Sequence, residues 1–213
     1  MKHLIPAIRI KLFFILLLGL IYPFLMTGIS QTLFPHQASG DFLTRGGVVI
    51  GSSWISQNFE KTEYFWPRPS AVGYNPLPSG GSNLGLTSQE LKKTVEERKA
   101  KLKAAHPDEK IEPPQDLLFA SGSGLDPHIS PEAAQYQLHR VATARSMNLE
   151  LVQKLIEQVT ENRRFGILGE PVVNVLALNL ALDKSQGIES APVLVQAPMA
   201  PVVTPPAAPS DTK

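Results

Sequence analysis

Ser121, Ser123, Asp126 and His128 crowd into the eight residues SGSGLDPH, and these are side chains that can do hydrolytic chemistry. A nucleophilic serine needs a histidine within hydrogen-bond reach, a carboxylate to orient that histidine, and amide donors where the oxyanion develops. Neighbours in one turn point in different directions, however, and no G-x-S-x-G elbow follows a strand here. The same residues are turn formers, with Asp126 placed to bond nearby amides. That turn reading comes first, and an exported, membrane-anchored hydrolase using Ser123, Asp126 and His128 is the alternative. Metal chemistry has less to work with. His3, His36, His106, His128 and His139 are scattered, without an HExxH or a pair at i, i+4.

A second stretch, PSGGSNLG from Pro78 to Gly85, is rich in glycine. Backbone amides in such loops can cradle phosphates, which makes Ser79, Gly80, Gly81, Ser82 and Asn83 candidates for a nucleotide-binding module. The loop lacks the Lys and following Ser/Thr of a P-loop, and no Val/Ile run leads into it. A glycine-hinged docking loop is the simpler reading. No bound cofactor is expected.

The elements that must position these residues begin with a membrane segment. From Leu12 to Gly40 there is no Asp, Glu, Lys or Arg, and LFFILLLGLIYPFLMTGI is eighteen residues of almost unbroken apolar chain. As a helix it spans roughly 27 Å, close to a bilayer's hydrocarbon core of about 30 Å. Pro23 removes one intrahelical bond near its middle and predicts a kink. Lys2, Arg9 and Lys11 precede the span, whereas Arg45 is the only basic residue after it until Lys61. The positive-inside rule therefore puts the N-terminus in the cytoplasm and the rest outside. A cleaved secretory signal is the competing account, but signal cores run about 7–15 residues and this one is longer. The chain then divides into a cytoplasmic N-terminus (1–11), a transmembrane helix (12–30), an extracytoplasmic domain (31–190) and a Pro/Ala-rich disordered tail (191–213). The predicted orientation also places the Ser79–Gly85 loop outside, where ATP is scarce.

Composition bounds the rest. A formal net charge of +1 and 18% charged residues argue against a nucleic-acid binder. With no cysteine, disulfides and thiolate metal sites are excluded. Nineteen prolines are many for 213 residues, and six follow Ser190.

Along the domain, GGVVIGSSWI reads as a short strand between tight turns. Tyr64 to Gly85 is too rich in Pro and Gly for a helix, yet Tyr64, Phe65, Trp66 and Tyr74 have the apolar area to pin a long loop to a surface. Thr87 and Glu90 fit a capping box for a surface helix over Thr87–Lys103. Leu117–Ala120 reads as a short buried strand. Ser130 followed by Pro131 is a strong helix start, and Asn148 caps LELVQKLIEQV, with an apolar stripe at i, i+3, i+4. Val172–Val175 suits a strand, while Val175–Asp183 is ambiguous between strand and helix. The fold class is α/β (mixed): one N-terminal transmembrane helix plus a small extracytoplasmic domain of about three helices and a few short strands.

Four stretches in order carry a resemblance: YPFLMTGISQTLFPHQASG, YFWPRPSA…YNP…SGGSNLG, SGSGLDPHISPEAAQYQLHRVA and GEPVVNVLALNLAL. From about Leu4 to Lys184 the chain resembles the C subunit of Kdp-type potassium-transporting P-type ATPases. The resemblance implies a non-catalytic accessory subunit of a four-part bacterial import complex in the cell inner membrane. Its partners would be a potassium-selecting channel-like subunit, an ATP-hydrolysing P-type subunit and a small membrane subunit. ATP and potassium would be handled by the complex, and the family is described as a catalytic chaperone that raises the pump's ATP affinity. In keeping with that division of labour, the chain has no DKTG phosphorylation motif. On this reading the contact candidates are Gly19, Thr27 and Gly28 on the membrane helix, Trp66, Arg68, Tyr74 and Asn75 in the aromatic loop, and Asp126 and His128 before the helix that Ser130 caps.

Overall fold

The computed structural model describes residues 3–188; the tail expected over 191–213 lies outside them. The chain divides into two compact units between Leu43 and Thr44. In the first, helix α1 (Leu4–Leu33) is the one helix among the described residues long and apolar enough to cross a membrane, with a mean hydropathy of 2.3 and none of its apolar window buried. It begins eight residues earlier than the expected span, so Arg9 and Lys11 lie on its first turns. Ahead of Pro23, where a kink is expected, the helix has a wide turn over Leu17–Ile21, in which the Tyr22 N–H reaches back to the Leu17 carbonyl. Proline has no N–H, and its ring clashes with the carbonyl four residues back, at Gly19; widening the preceding turn relieves both. A short helix, α2 (Pro35–Ala38), follows.

Strand β1 (Phe42–Arg45) straddles the division and pairs with β2 (Val48–Ser52) in a hairpin. β2 is the strand expected around Val48–Ile50; its partner β1 was not anticipated. After the long aromatic loop comes α3 (Gln89–Ala105), of which only Leu102 is buried, as its narrow apolar stripe implies. The capping box is not formed. Ser88, one residue on from Thr87, is the cap, and its hydroxyl accepts the Leu91 N–H at 3.3 Å. The expected strand at Leu117–Ala120 is also corrected: Gln115–Leu118 forms one helical turn, α4, burying Leu117 and Leu118. A four-residue apolar run carries no period, so it could not distinguish a strand from a buried turn.

The centre of the second unit is α5 (Pro131–Arg145), entered through the two-residue strand β3 (His128–Ile129). Ser130 caps it as expected, accepting the Ala133 N–H at 3.0 Å. Ala133, Ala134, Tyr136, Leu138, Val141 and Ala142 are all buried, so the helix is enclosed on most sides. Ser146, with φ 52, reverses the chain in the left-handed region and leads into α6 (Leu149–Val159). Asn148 caps α6 by accepting the Glu150 N–H at 2.9 Å. Strand β4 (Thr160–Glu161) follows, then β5 (Val172–Asn174), then α7 (Val175–Ser185). The ambiguity at Val175–Asp183 is thus resolved as helix, because Asn174 caps it by accepting the Ala177 N–H at 3.0 Å. The antiparallel sheet runs β3-β5-β4, with Ile129 and Thr160 both opposite Val173. Val173 is fully buried beneath the helices, beside a core of Ile129, Val152, Ile156, Leu178 and Leu182.

Candidate interaction surface

The aromatic loop owes its order to side chains rather than to a sheet. Gln137 on α5 and Asn179 on α7 are both buried among apolar neighbours. Asn179 Oδ1 accepts the Phe65 N–H at 2.8 Å and its Nδ2 donates to the Phe65 carbonyl at 3.0 Å. Gln137 repeats this one residue on, accepting the Trp66 N–H at 2.8 Å and donating to the Trp66 carbonyl at 3.1 Å. Two side-chain amides thereby stand in for a neighbouring strand, and no buried peptide group of Phe65 or Trp66 is orphaned.

Two arginines on α5 complete the grip. Arg140 donates to the Thr62 carbonyl, to the Tyr64 carbonyl at 3.0 Å and to Gln137 Oε1 at 2.8 Å, and its guanidinium lies 4.2 Å from the Trp66 ring centroid. Burial brings Arg140 down to about 10, so it stays charged at neutral pH. Its Nε–H donates to His106 Nε2 at 2.9 Å, while His106 Nδ1 lies 2.7 Å from the Leu102 carbonyl. These partners assign the proton to Nδ1 and leave the ring neutral. Burial is the main cause that lowers His106 to about 4, with the Arg140 charge acting the same way against a backbone bond to Leu102 that opposes it. Arg145 donates to the Glu63 carbonyl at 2.6 Å and to Asp183 Oδ1 at 2.8 Å. Arg45 reaches the other Asp183 oxygen at 3.1 Å, where the Tyr64 hydroxyl also approaches at 3.3 Å. Asp183 is fully buried, so this cluster ties the β1–β2 hairpin, the aromatic loop, α5 and α7 through one carboxylate.

The outward side of this framework carries most of the expected contact residues. Trp66 and Tyr74 line a cavity of about 260 Å³ with Phe59, Leu102 and Leu117 at its apolar wall and Arg98 and Lys101 at its edge. The Tyr74 hydroxyl donates to the Arg68 carbonyl at 2.9 Å, and burial pushes its pKa up. Arg68 pairs with Asp126 at 3.1 Å. Asp126 in turn accepts the His128 N–H at 3.0 Å and faces His128 Nδ1 at 3.4 Å. Burial pushes the Asp126 carboxyl up, but bonds from His128 and the Arg68 charge outweigh it and hold it below its ordinary value. Asn75 closes a local turn by accepting the Leu77 N–H at 3.0 Å.

Ser123 is placed differently from its neighbours. Its hydroxyl accepts the Leu125 N–H at 3.1 Å, while Asp126 engages both Arg68 and His128. The glycine-rich loop lies against this same turn. Gly80 donates to the Ser123 carbonyl at 2.8 Å, and a Cβ at Gly81 would sit 3.2 Å from the Gly122 carbonyl. Gly124, at φ +68, has no room either: a Cβ there would come within 2.8 Å of the Gly80 carbonyl. These glycines let two loops approach closely, while Ser79, Ser82 and Asn83 are exposed. Among the described residues no group of His, Asp and Glu is arranged to hold a metal.

On α1 the Thr27 hydroxyl donates to the Pro23 carbonyl at 2.8 Å, spending its polarity inside the helix. A Cβ at Gly28 would meet nothing within 4 Å, and at Gly19 only Ile15 at 4.0 Å. Both leave small notches on a bare apolar rod.

Residues 4–184, helix and domain together, match the family model KdpC, described as K+-transporting ATPase, c chain. The chain belongs to the KdpC family. A Potassium-transporting ATPase KdpC subunit of Geobacter metallireducens is 53% identical over 188 residues, covering 86% of this chain and 98% of its own. Proteins of the same name from Serratia proteamaculans and Methylococcus capsulatus are 50% and 48% identical, the first covering 86% of this chain and 98% of its own, the second 85% and 97%. The resemblance drawn from the four sequence stretches is thereby established.

The framework residues Gln137, Asn179, Arg145 and Asp183 were not singled out from sequence. For Asn179 the signal was present: it lies between Leu178 and Leu180 in a helical stretch of Ala, Leu and Val. A polar residue at a core position needs a buried partner.

Proposed function

We propose that this chain is the accessory, non-catalytic subunit of an ATP-driven potassium import complex, anchored in the bacterial inner membrane by α1. The observation that carries the reading is the unbroken family match over residues 4–184, which takes in both the membrane helix and the domain. The basic residues Arg9 and Lys11 lie at the start of α1, which supports a cytoplasmic N-terminus and an extracytoplasmic domain. Its partners are the potassium-selecting channel-like subunit, the ATP-hydrolysing P-type subunit and a small membrane subunit. From the far side of the membrane the domain raises ATP affinity only by coupling. It binds one pump conformation better than another, and shifts the population toward it. The outward face of Trp66, Arg68, Tyr74, Asn75, Asp126 and His128, held rigid from behind, supports a docking role.

Growth tests this. A strain lacking its own C subunit and dependent on the Kdp-type importer should recover growth at limiting potassium when supplied with this chain. Failure to recover, with the chain present in the membrane, would overturn the proposal. A periplasmic reporter fused after Lys184 should be active; activity only from a cytoplasmic reporter would reverse the orientation.

A further inference from the structure

Between β4 and β5 the chain makes a projecting turn whose side chains serve no purpose within the domain. Phe165 is 90% exposed, Ile167 76% and Leu168 58%, although the segment leads into a strand whose Val173 and Asn174 are buried. The turn is built firmly: Arg164 and Leu168 exchange backbone bonds at 2.8 and 2.9 Å, a bridge that closes a tight loop of three residues. Phe165 sits at φ 54 and Gly166 at φ 75. A bulky aromatic residue in the left-handed region is disfavoured, and Asn or Gly would fit there more easily. The position therefore holds a Phe against its backbone preference and presents it to solvent.

The charges nearby indicate what such a tip meets. Arg163 is turned back onto Glu170 at 2.6 Å, which neutralises the stem. Arg164 beside the tip is exposed and has no ion pair among the described residues. An anionic lipid surface would be best met by a cluster of free basic residues; here one of the two is already satisfied. A narrow convex tip with one available cation fits a protein groove with an apolar floor and a carboxylate at its rim. Stable interfaces bury about 800 Å² per partner, and three side chains supply only part of that. The tip is thus an anchor inside a larger contact, in the manner of a hot spot. Holding both proteins in one bilayer through α1 raises their effective concentration.

We propose that Phe165, Ile167 and Leu168 form an apolar plug that inserts into such a groove on another subunit of the potassium-transporting ATPase. This rests on the subunit reading above. The test uses the full-length tagged chain in membranes of cells expressing the whole complex. A photoreactive residue at position 167 should give an adduct with an identified subunit of the ATPase. The double variant Phe165→Asn and Ile167→Ser, whose changes suit the backbone and touch no core, should lower recovery of the other subunits at least tenfold in detergent. Its thermal unfolding should match that of the unaltered chain, and Phe165→Leu should restore recovery. Adducts with lipid only, or undiminished recovery by the double variant, would overturn the plug. Failure of the unaltered chain to recover any ATPase subunit would instead overturn the reading on which the plug rests.

Discussion

His106 is the residue at which solution pH acts most directly on this domain. It is buried as the neutral ring, donating to Leu102 and accepting from Arg140. Its folded pKa of about 4 lies below its ordinary value of 6.5, so protons favour the unfolded chain. Its contribution to stability is complete above about pH 6.5 and is lost as pH falls from there toward 4. The loss should reach roughly 2 kcal/mol, read as an acid slope in thermal unfolding of the detergent-solubilised chain. In His106→Gln, which keeps an acceptor for Arg140 but cannot titrate, that part of the slope should vanish; an unchanged slope would assign it elsewhere. Asn179 gives a second residue-scale test. Asn179→Leu removes both partners of the Phe65 peptide groups and should cost about 2–6 kcal/mol, since each orphaned buried group costs about 1–3. Asp183→Asn keeps the shape but leaves Arg45 and Arg145 facing each other without a counter-charge. It should cost about 3 kcal/mol by chemical denaturation, in line with breaking a buried pair. A loss under 1 kcal/mol in either variant would show that the cluster does not hold the aromatic loop.

Helices with strong local signals were legible in the sequence. Ser130-Pro131 and Asn148 cap α5 and α6 where expected, because capping chemistry is confined to a few neighbouring residues. Where the deciding partner is far along the chain, local reading failed. Leu117–Ala120 becomes a helical turn, α4, packed beside α3, and nothing in four apolar residues reports that. The aromatic loop was read as pinned by its own rings. In fact side chains 71 and 114 residues away hold its backbone. Of the residues proposed for contact, Trp66 and Tyr74 line one cavity, and Arg68, Asp126 and His128 come together. The apolar tip at Phe165 was not singled out, because exposure of a Phe cannot be read from its neighbours. On α1, Gly28→Leu adds a side chain that meets nothing within the chain. It should leave the unfolding of the isolated chain unchanged while lowering recovery of the partner subunits several-fold from detergent extracts. Equal recovery would remove Gly28 from the assembly face.

At the scale of the whole molecule, one apolar helix and one domain with a rigidly held aromatic face make a chain suited to docking. No described group is arranged for metal binding, and the Ser123 hydroxyl is engaged with its own turn. The family match spans both parts, and the account's central claim is that both parts serve assembly of the potassium-transporting ATPase. Affinity purification of the tagged full-length chain from membranes of potassium-starved bacteria tests this most directly. The account predicts that the P-type ATPase subunit and the channel-like subunit copurify in constant proportion to the chain. Recovery of the chain without either, from membranes in which both are present, would contradict it.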